Sequence, residues 1–434
     1  MTLGKNMSAY RSILIGLVAM SAGGATSLAG GGGSLLIYPN IELKWDNDGN
    51  LTTDTIVTLT NSYPLNVLVK VMMVNGDEPT APVFDAGGNL IERGHPGWNK
   101  LSCEFRLIGG QTVFWSNLTG LPNGCPFGLL DGGDPPGRPD PDSPFSRTLR
   151  GFMYVWAIGT DGGEINWEGS LSGNARIFDY ASGASWSYSA EGFRALAGDR
   201  HDPLPEPGVL RLDGVEYEAP PSVLQFSFFP SGVTPQTNGF AILRDTDLTL
   251  LPVSQDFRQD NDGPPKTKAR FSISNLSGST FSGTEECITC WEQRLLTQFR
   301  TPNHFVRTAL GSDIGTATVD GVTSFLCGPG TQALALLGVA VEMVAFTQAD
   351  SNMNAVVDVA DFRVFRGCLN NSGPGEPLPS DMCRDLFDLD GDGDTDLRDA
   401  ADFPYAEEHP RSYSTILLVG MGSQNAIIRY DVSN

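Results

Sequence analysis

The sequence predicts a mainly β protein: two related β-sandwich-like domains, then a small α-helical module, then a C-terminal β-hairpin. Three observations lead there. From Leu35 to about Phe346 the chain is a series of short runs rich in β-branched and aromatic residues, broken by Gly, Pro, Asn and Asp. Residues 55–60 (TIVTLT), 67–74 (VLVKVMMV) and 151–158 (GFMYVWAI) are typical, and such runs between turn residues read as strands. Sustained helical periodicity is scarce over the same stretch, which points to layered sheets. Finally, residues 36–61 align with residues 250–275 without a gap.

Taken in order, residues 1–29 read as a secretory signal. Lys5 and Arg11 supply the basic start, Ile13 to Met20 the apolar stretch, and Ser27-Leu28-Ala29 a small-x-small cleavage site. A secreted, extracellular or cell-surface location follows as the expectation. The later apolar run from Ala333 to Phe346 is too short to cross a bilayer, so no transmembrane segment is expected in the mature chain. With 51 acidic against 28 basic side chains the net charge is −23, which argues against nucleic acid and anionic lipid as partners and leaves divalent cations open.

The first β domain is assigned to 34–245 and the second to 246–346. Asp-Asn-Asp-Gly recurs at 46–49 and 260–263, and Thr58-Leu-Thr-Asn61 corresponds to Ser272-Ile-Ser-Asn275. Residues 173–177 (GNARI) and 315–319 (GTATV) form a second matched pair. The Asp46–Gly49 segment has too few oxygens to cage calcium alone, so an Asx-Gly turn between strands is expected there. The Gly/Pro/Asp segment from Gly132 to Pro144 is expected to be an exposed insertion. Sequons at Asn50, Asn117, Asn275 and Asn370 matter only if the host glycosylates them.

Seven cysteines follow the signal, and in an oxidising compartment they read as disulfides, with at least one left over. Cys287-Ile-Thr-Cys290 leaves two readings open. One is disulfide pairing, with Cys327 or within the motif; the other is a zinc site completed by His304 and Cys327.

The strongest signal occupies 347–408. Residues 350–361 (DSNMNAVVDVAD) and 388–399 (DLDGDGDTDLRD) each place oxygen side chains at loop positions 1, 3, 5, 9 and 12, the spacing that curls ligands round one Ca²⁺. The first set is Asp350, Asn352, Asn354, the Val356 carbonyl, Asp358 and Asp361. The second is Asp388, Asp390, Asp392, the Asp394 carbonyl, Asp396 and Asp399. Two Ca²⁺ sites are therefore expected. Residues 350–408 hold 15 acids against 4 bases, so much of the chain's acidity is local to these loops. An apolar stripe (Phe362, Val364, Phe365, Leu369) predicts a helix after the first loop, and Cys368 with Cys383 brackets the link between loops as an expected disulfide.

Aspartate at the last ligand position and the lack of a long preceding helix depart from the EF-hand pattern. In both respects the pair resembles type I dockerin repeats. The resemblance implies attachment to a cohesin-like or other protein domain. Ala355 stands where the second loop has its turn glycine, Gly393; Thr395 stands where an apolar residue is usual, and Pro404 cuts the second helix short. The wider body is similar to a group of secreted bacterial β proteins, through residues 53–61, 212–217, 250–254, 287–291 and 336–340, a likeness that brings no activity with it.

Residues 409–434 carry two apolar runs round Ser423-Gln-Asn425 that predict a hairpin. It resembles the opening of a β-propeller blade, cut short, unless it packs on a preceding module. No G-x-S-x-G, H-E-x-x-H or phosphate-binding loop occurs, so no catalytic residues are assigned and no enzyme is expected. The other functional reading is a carbohydrate-binding or carbohydrate-active protein with a polysaccharide partner. It requires a groove lined by exposed tryptophans (Trp98, Trp115, Trp156, Trp167, Trp186) and paired carboxylates, whereas buried tryptophans point to structure.

Overall fold

The computed structural model describes residues 32–347 apart from 121–123, 142–145, 161, 164, 166–169, 181–183, 197–210, 222, 236–240, 254–263 and 329–334. Beyond 347 it describes 359–369, 387, 395, 397–398, 415–420 and 425–429. The expected signal segment and the second Asp-Asn-Asp-Gly copy lie outside the described residues.

The chain is mainly β, as its apolar runs predict. A first group of strands comprises β1 (Leu35–Asp46), β2 (Leu51–Asn61), β3 (Val67–Asn75), β4 (Val83–Phe84), β5 (Leu90–Glu92) and β6 (Lys100–Leu107). It continues with β7 (Thr112–Ser116), β8 (Arg138–Pro139), β9 (Ser146–Ile158), β10 (Leu171–Asp179), β11 (Ala184–Ser189) and β12 (Glu191–Phe193). All but the small β4–β5 ribbon join one antiparallel sheet, ordered β11-β10-β2-β1-β9-β3-β6 with β7 on β2. β2 meets β1 only at its start and β7 along its second half, so the sheet folds over at that corner. Alternate residues of both halves (Leu43 and Val155 from one, Val57 and Ile177 from the other) then meet in one core, the period-2 pattern of half-buried strands.

The second group comprises β13 (Val223–Phe228), β14 (Gly232–Pro235), β15 (Ala241–Val253), β16 (Lys266–Asn275), β17 (Thr280–Thr289) and β18 (Glu292–Leu295). β19 (Gly315–Val322), β20 (Ala335–Thr347), β21 (Thr415–Gly420) and β22 (Asn425–Arg429) complete it. These make a four-stranded sheet, β13-β19-β16-β17, and a six-stranded one, β14-β15-β20-β21-β22 with β18 on β15.

β15 and β20 are buried on both faces. Leu248, Leu250, Leu336 and Ala340 pack towards the four-stranded sheet, while Leu251, Val253 and Leu337 pack towards β1, β3 and β9 with Trp291. Val339 and Val341 reach the core of the first sheet. A strand covered on both sides has no polar face to show, which is why Ala333 to Phe346 is apolar except for Glu342. The core against the four-stranded sheet centres on Phe305, whose ring lies 5.0–5.1 Å from those of Phe228, Phe271 and Phe299.

The self-matched segments occupy comparable positions. β2 and β16 both end on an asparagine whose side-chain carbonyl accepts the amide two residues on (Tyr63 N in one, Ser277 N in the other). Each pairs antiparallel with the strand holding the second matched segment, β10 and β19 respectively, with registers differing by two residues. The terminal hairpin extends the six-stranded sheet, β21 pairing with β20 from Val339↔Gly420 to Glu342↔Leu417. Residues 348–414 therefore form an excursion between two hydrogen-bonded neighbours.

The Gly132–Pro144 segment is less exposed than its composition predicts. Arg138 and Asp140 are buried, because each charge finds partners: Arg138 donates to the carbonyls of Glu78 and Pro96, and Asp140 meets Lys44 and Ser146.

Candidate functional site

Only one of the twelve expected calcium-ligand positions falls in a described element. The helix Val359–Cys368 contains Asp361 as its third residue; the Asp361 side chain and the other eleven positions lie outside the described residues. What the structure does place are the apolar residues beside the loops. The helix follows the first loop, as the stripe predicts. Its Phe365 is buried and meets the ring of buried Phe387 edge-on at 5.4 Å. Phe362 stacks on Phe365 at 5.8 Å and is partly exposed.

Phe387 immediately precedes Asp388 in sequence, so this contact links the helix after the first loop to the residue that comes before the second. Thr395, the polar departure at position 8 of the second loop, is fully buried, as an apolar residue there would be. Cys368 is disulfide-bonded. Its expected partner, Cys383, lies outside the described residues.

The other candidate sites resolve differently. Cys287 bonds Cys327 and Cys103 bonds Cys125, while Cys290 is a buried thiol outside both bridges. The zinc reading fails on this geometry: two of its four ligands are consumed in the Cys287–Cys327 bond, and the His304 ring stacks on Phe281 at 5.3 Å. Trp115 and Trp156 are buried, as are Trp45 and Trp291, while Trp98 and Trp186 are half-buried against cores. Trp167 lies outside the described residues. Among the described residues no groove of exposed tryptophans exists.

Asp46-Asn-Asp-Gly-Asn50 is a turn. Oδ1 of Asp46 accepts the amides of Asp48 and Asn50 (2.9 and 2.8 Å), Oδ2 accepts the Asn50 side-chain amide (2.9 Å), and Gly49 takes φ 84°. The same geometry recurs at Asp85–Asn89, with Gly88 at φ 82°. At Asn275–Ser279 a neutral asparagine plays the aspartate's part. These bonds hold the Asp46 and Asp85 carboxyls below the usual range, the asparagine side chain of each turn being the main cause. The Asp46 carboxylate is thus held by donors of its own loop. Asp46→Ala is expected to speed hydrogen exchange at the Asp48 and Asn50 amides, and Asp46→Asn to restore much of the protection, with both variants indifferent to added calcium.

One constellation has no signal in the sequence. His95 is buried between two carboxylates, Nδ1 at 3.0 Å from Asp131 Oδ2 and Nε2 at 3.0 Å from Glu92 Oε1. Arg93 donates to Asp131 (2.8 Å), and Arg147 grips both oxygens of Glu92 (3.0 and 3.1 Å), driving its carboxyl down to about 2. With cations and anions matched and the imidazole enclosed, the cluster pins the β4–β5 ribbon to the segments around Asp131 and β9. Its members come from three stretches of chain (92–95, 131 and 147), so no local spacing announces it.

Compared with known proteins, the chain matches no family model and no curated sequence.

Proposed function

We propose that the chain is a secreted protein of two related β-sandwich-like domains whose dockerin-like 347–408 module binds two Ca²⁺ ions and serves attachment to a partner domain or stiffening of the fold. The observation that carries this reading is the contact of Phe365 with Phe387. A duplicated loop is useful as a unit only if its halves pack together, and these two rings tie the helix after the first loop to the residue that precedes the second in sequence. The position of the module adds to this. In sequence it lies between β20 and β21, which are paired neighbours in the six-stranded sheet, so ordering by calcium would bear on that pairing. Disulfides suit an oxidising compartment, and among the described residues no helix is long and apolar enough to cross a membrane.

Calorimetric titration of Ca²⁺ into the chelator-treated full-length chain is expected to fit two ions per chain. Asp350→Ala and Asp388→Ala should each remove one of them, because an oxygen at position 1 of its loop is lost. Absence of binding heat, together with thermal unfolding unchanged by chelator, would sink the proposal.

A further inference from the structure

The first sheet brings a lysine, an aspartate and a glutamate together beneath the surface. Glu42 and Lys44 are alternate residues of β1 and so share a face. Thr148 of β9 is the register partner both of Lys44 and of Arg138 in β8, which places Asp140, two residues after Arg138, beside the lysine. The Lys44 ammonium lies 3.1 Å from Glu42 Oε1 and 3.4 Å from Asp140 Oδ2. The Glu42 contact is off hydrogen-bond alignment, a charge contact at close range. The carboxylates are almost wholly buried, with side-chain exposures of 3% and 1%, while 29% of the lysine side chain remains exposed. Ser146 Oγ also donates to Asp140 Oδ2, at 3.1 Å. Asp247, from β15 of the neighbouring layer, and Arg150 add their charges to the same region.

We propose that Lys44 and Asp140 become joined by an intramolecular amide cross-link, with Glu42 carrying the protons. A desolvated amine held against a desolvated carboxyl group is a nucleophile positioned on its electrophile, and proximity of this kind removes most of the entropic barrier to condensation. The step balances without any co-reactant. Glu42 passes one proton from the Lys44 ammonium to the Asp140 carboxylate, leaving a neutral amine and a neutral acid. Nζ attacks Cγ, a C–N bond forms and a C–O bond breaks. Glu42 takes the second proton from the attacking nitrogen and delivers it to the departing hydroxyl, so one water leaves and Glu42 ends as it began; nothing is oxidised or reduced. The attraction of Glu42 favours the charged ammonium, so the ion pair is the resting state and the reaction follows folding slowly. The link would close the long loop between β1 and β8 covalently, a form of stability that neither heat nor reductant reverses.

Intact mass spectrometry of the denatured, reduced full-length chain tests this directly. The expected mass is one water below that of the sequence, and digestion should release a branched peptide joining the Lys44 and Asp140 segments. Lys44→Arg keeps the ion pair and Glu42→Gln keeps the shape, yet both should have the unmodified mass, with circular dichroism reporting that they fold. A wild-type chain at full mass with two separate peptides would leave an ordinary ion pair and overturn the cross-link. A Glu42→Gln chain that still loses water would overturn the role of Glu42.

Discussion

Phe305→Ala is expected to cost about 3–5 kcal/mol of folding stability, the range for emptying a fully buried aromatic site. Phe305 sits in a loop, not a strand, yet its ring contacts Phe226, Phe228, Phe271 and Phe299 from two strands and a further loop, at centroid separations of 5.0–6.4 Å. Edge-to-face pairs add about 0.5–1.5 kcal/mol each beyond the area they bury. Its backbone is fixed as well: the Asn303 side chain accepts the Phe305 amide at 3.0 Å, and Ser231 N donates to the Phe305 carbonyl at 3.0 Å. The surrounding rings therefore cannot slide in to fill the space. Urea denaturation followed by near-ultraviolet circular dichroism would measure the loss. A loss below about 1 kcal/mol would mean that the ring cluster is not the centre of that core.

Strands were legible wherever a strand keeps one wet face or none. Alternation in β2 and the largely apolar run of β20 both point to sheet, and for opposite reasons: one strand faces water on one side, the other is covered on both. What adjacency along the chain does not encode is which layer a strand joins. β1 and β2 are consecutive yet diverge at the corner of the first sheet. β20 and β21 are neighbours in their sheet, although a 67-residue excursion (348–414) separates them. That pairing depends on a long-range match of edges, which no local pattern records.

The candidate site divides along the same line. Loop spacing, the helix after the first loop and the Asp46 turn are local features, written in consecutive residues. The His95–Asp131–Glu92 cluster and the Lys44–Glu42–Asp140 triad join residues far apart in sequence. Their members look like any other surface charge until the fold buries them. In the Gly132–Pro144 segment composition misleads only at Arg138 and Asp140 for this reason: charges are soluble one at a time and buriable in pairs.

The same logic turns to pH where a buried charge has no pair. Glu342 lies in the middle of β20, opposite Thr246 of β15, and is 1% exposed. Among the described residues its Oε2 has no hydrogen-bond partner. Burial alone pushes its carboxyl up to about 7 from the usual 4.5. In the unfolded chain the group loses its proton near pH 4.5, whereas the folded chain holds it until about 7. Between those values the native state binds more protons than the unfolded one, so stability falls as pH rises, and above about 7 the loss is complete. A shift of this size corresponds to about 3 kcal/mol. Glu342→Gln keeps the shape and removes the titration. It should match the native chain near pH 4.5 and exceed it by about 3 kcal/mol at pH 8, as read from urea midpoints at the two values. Asp247, raised to about 7 by burial and then by Glu42, sets the same slope at the layer interface, so some pH dependence should survive in the variant. Equal stability of the variant and native chains at pH 8 would show that Glu342 keeps a charge-stabilising partner in solution.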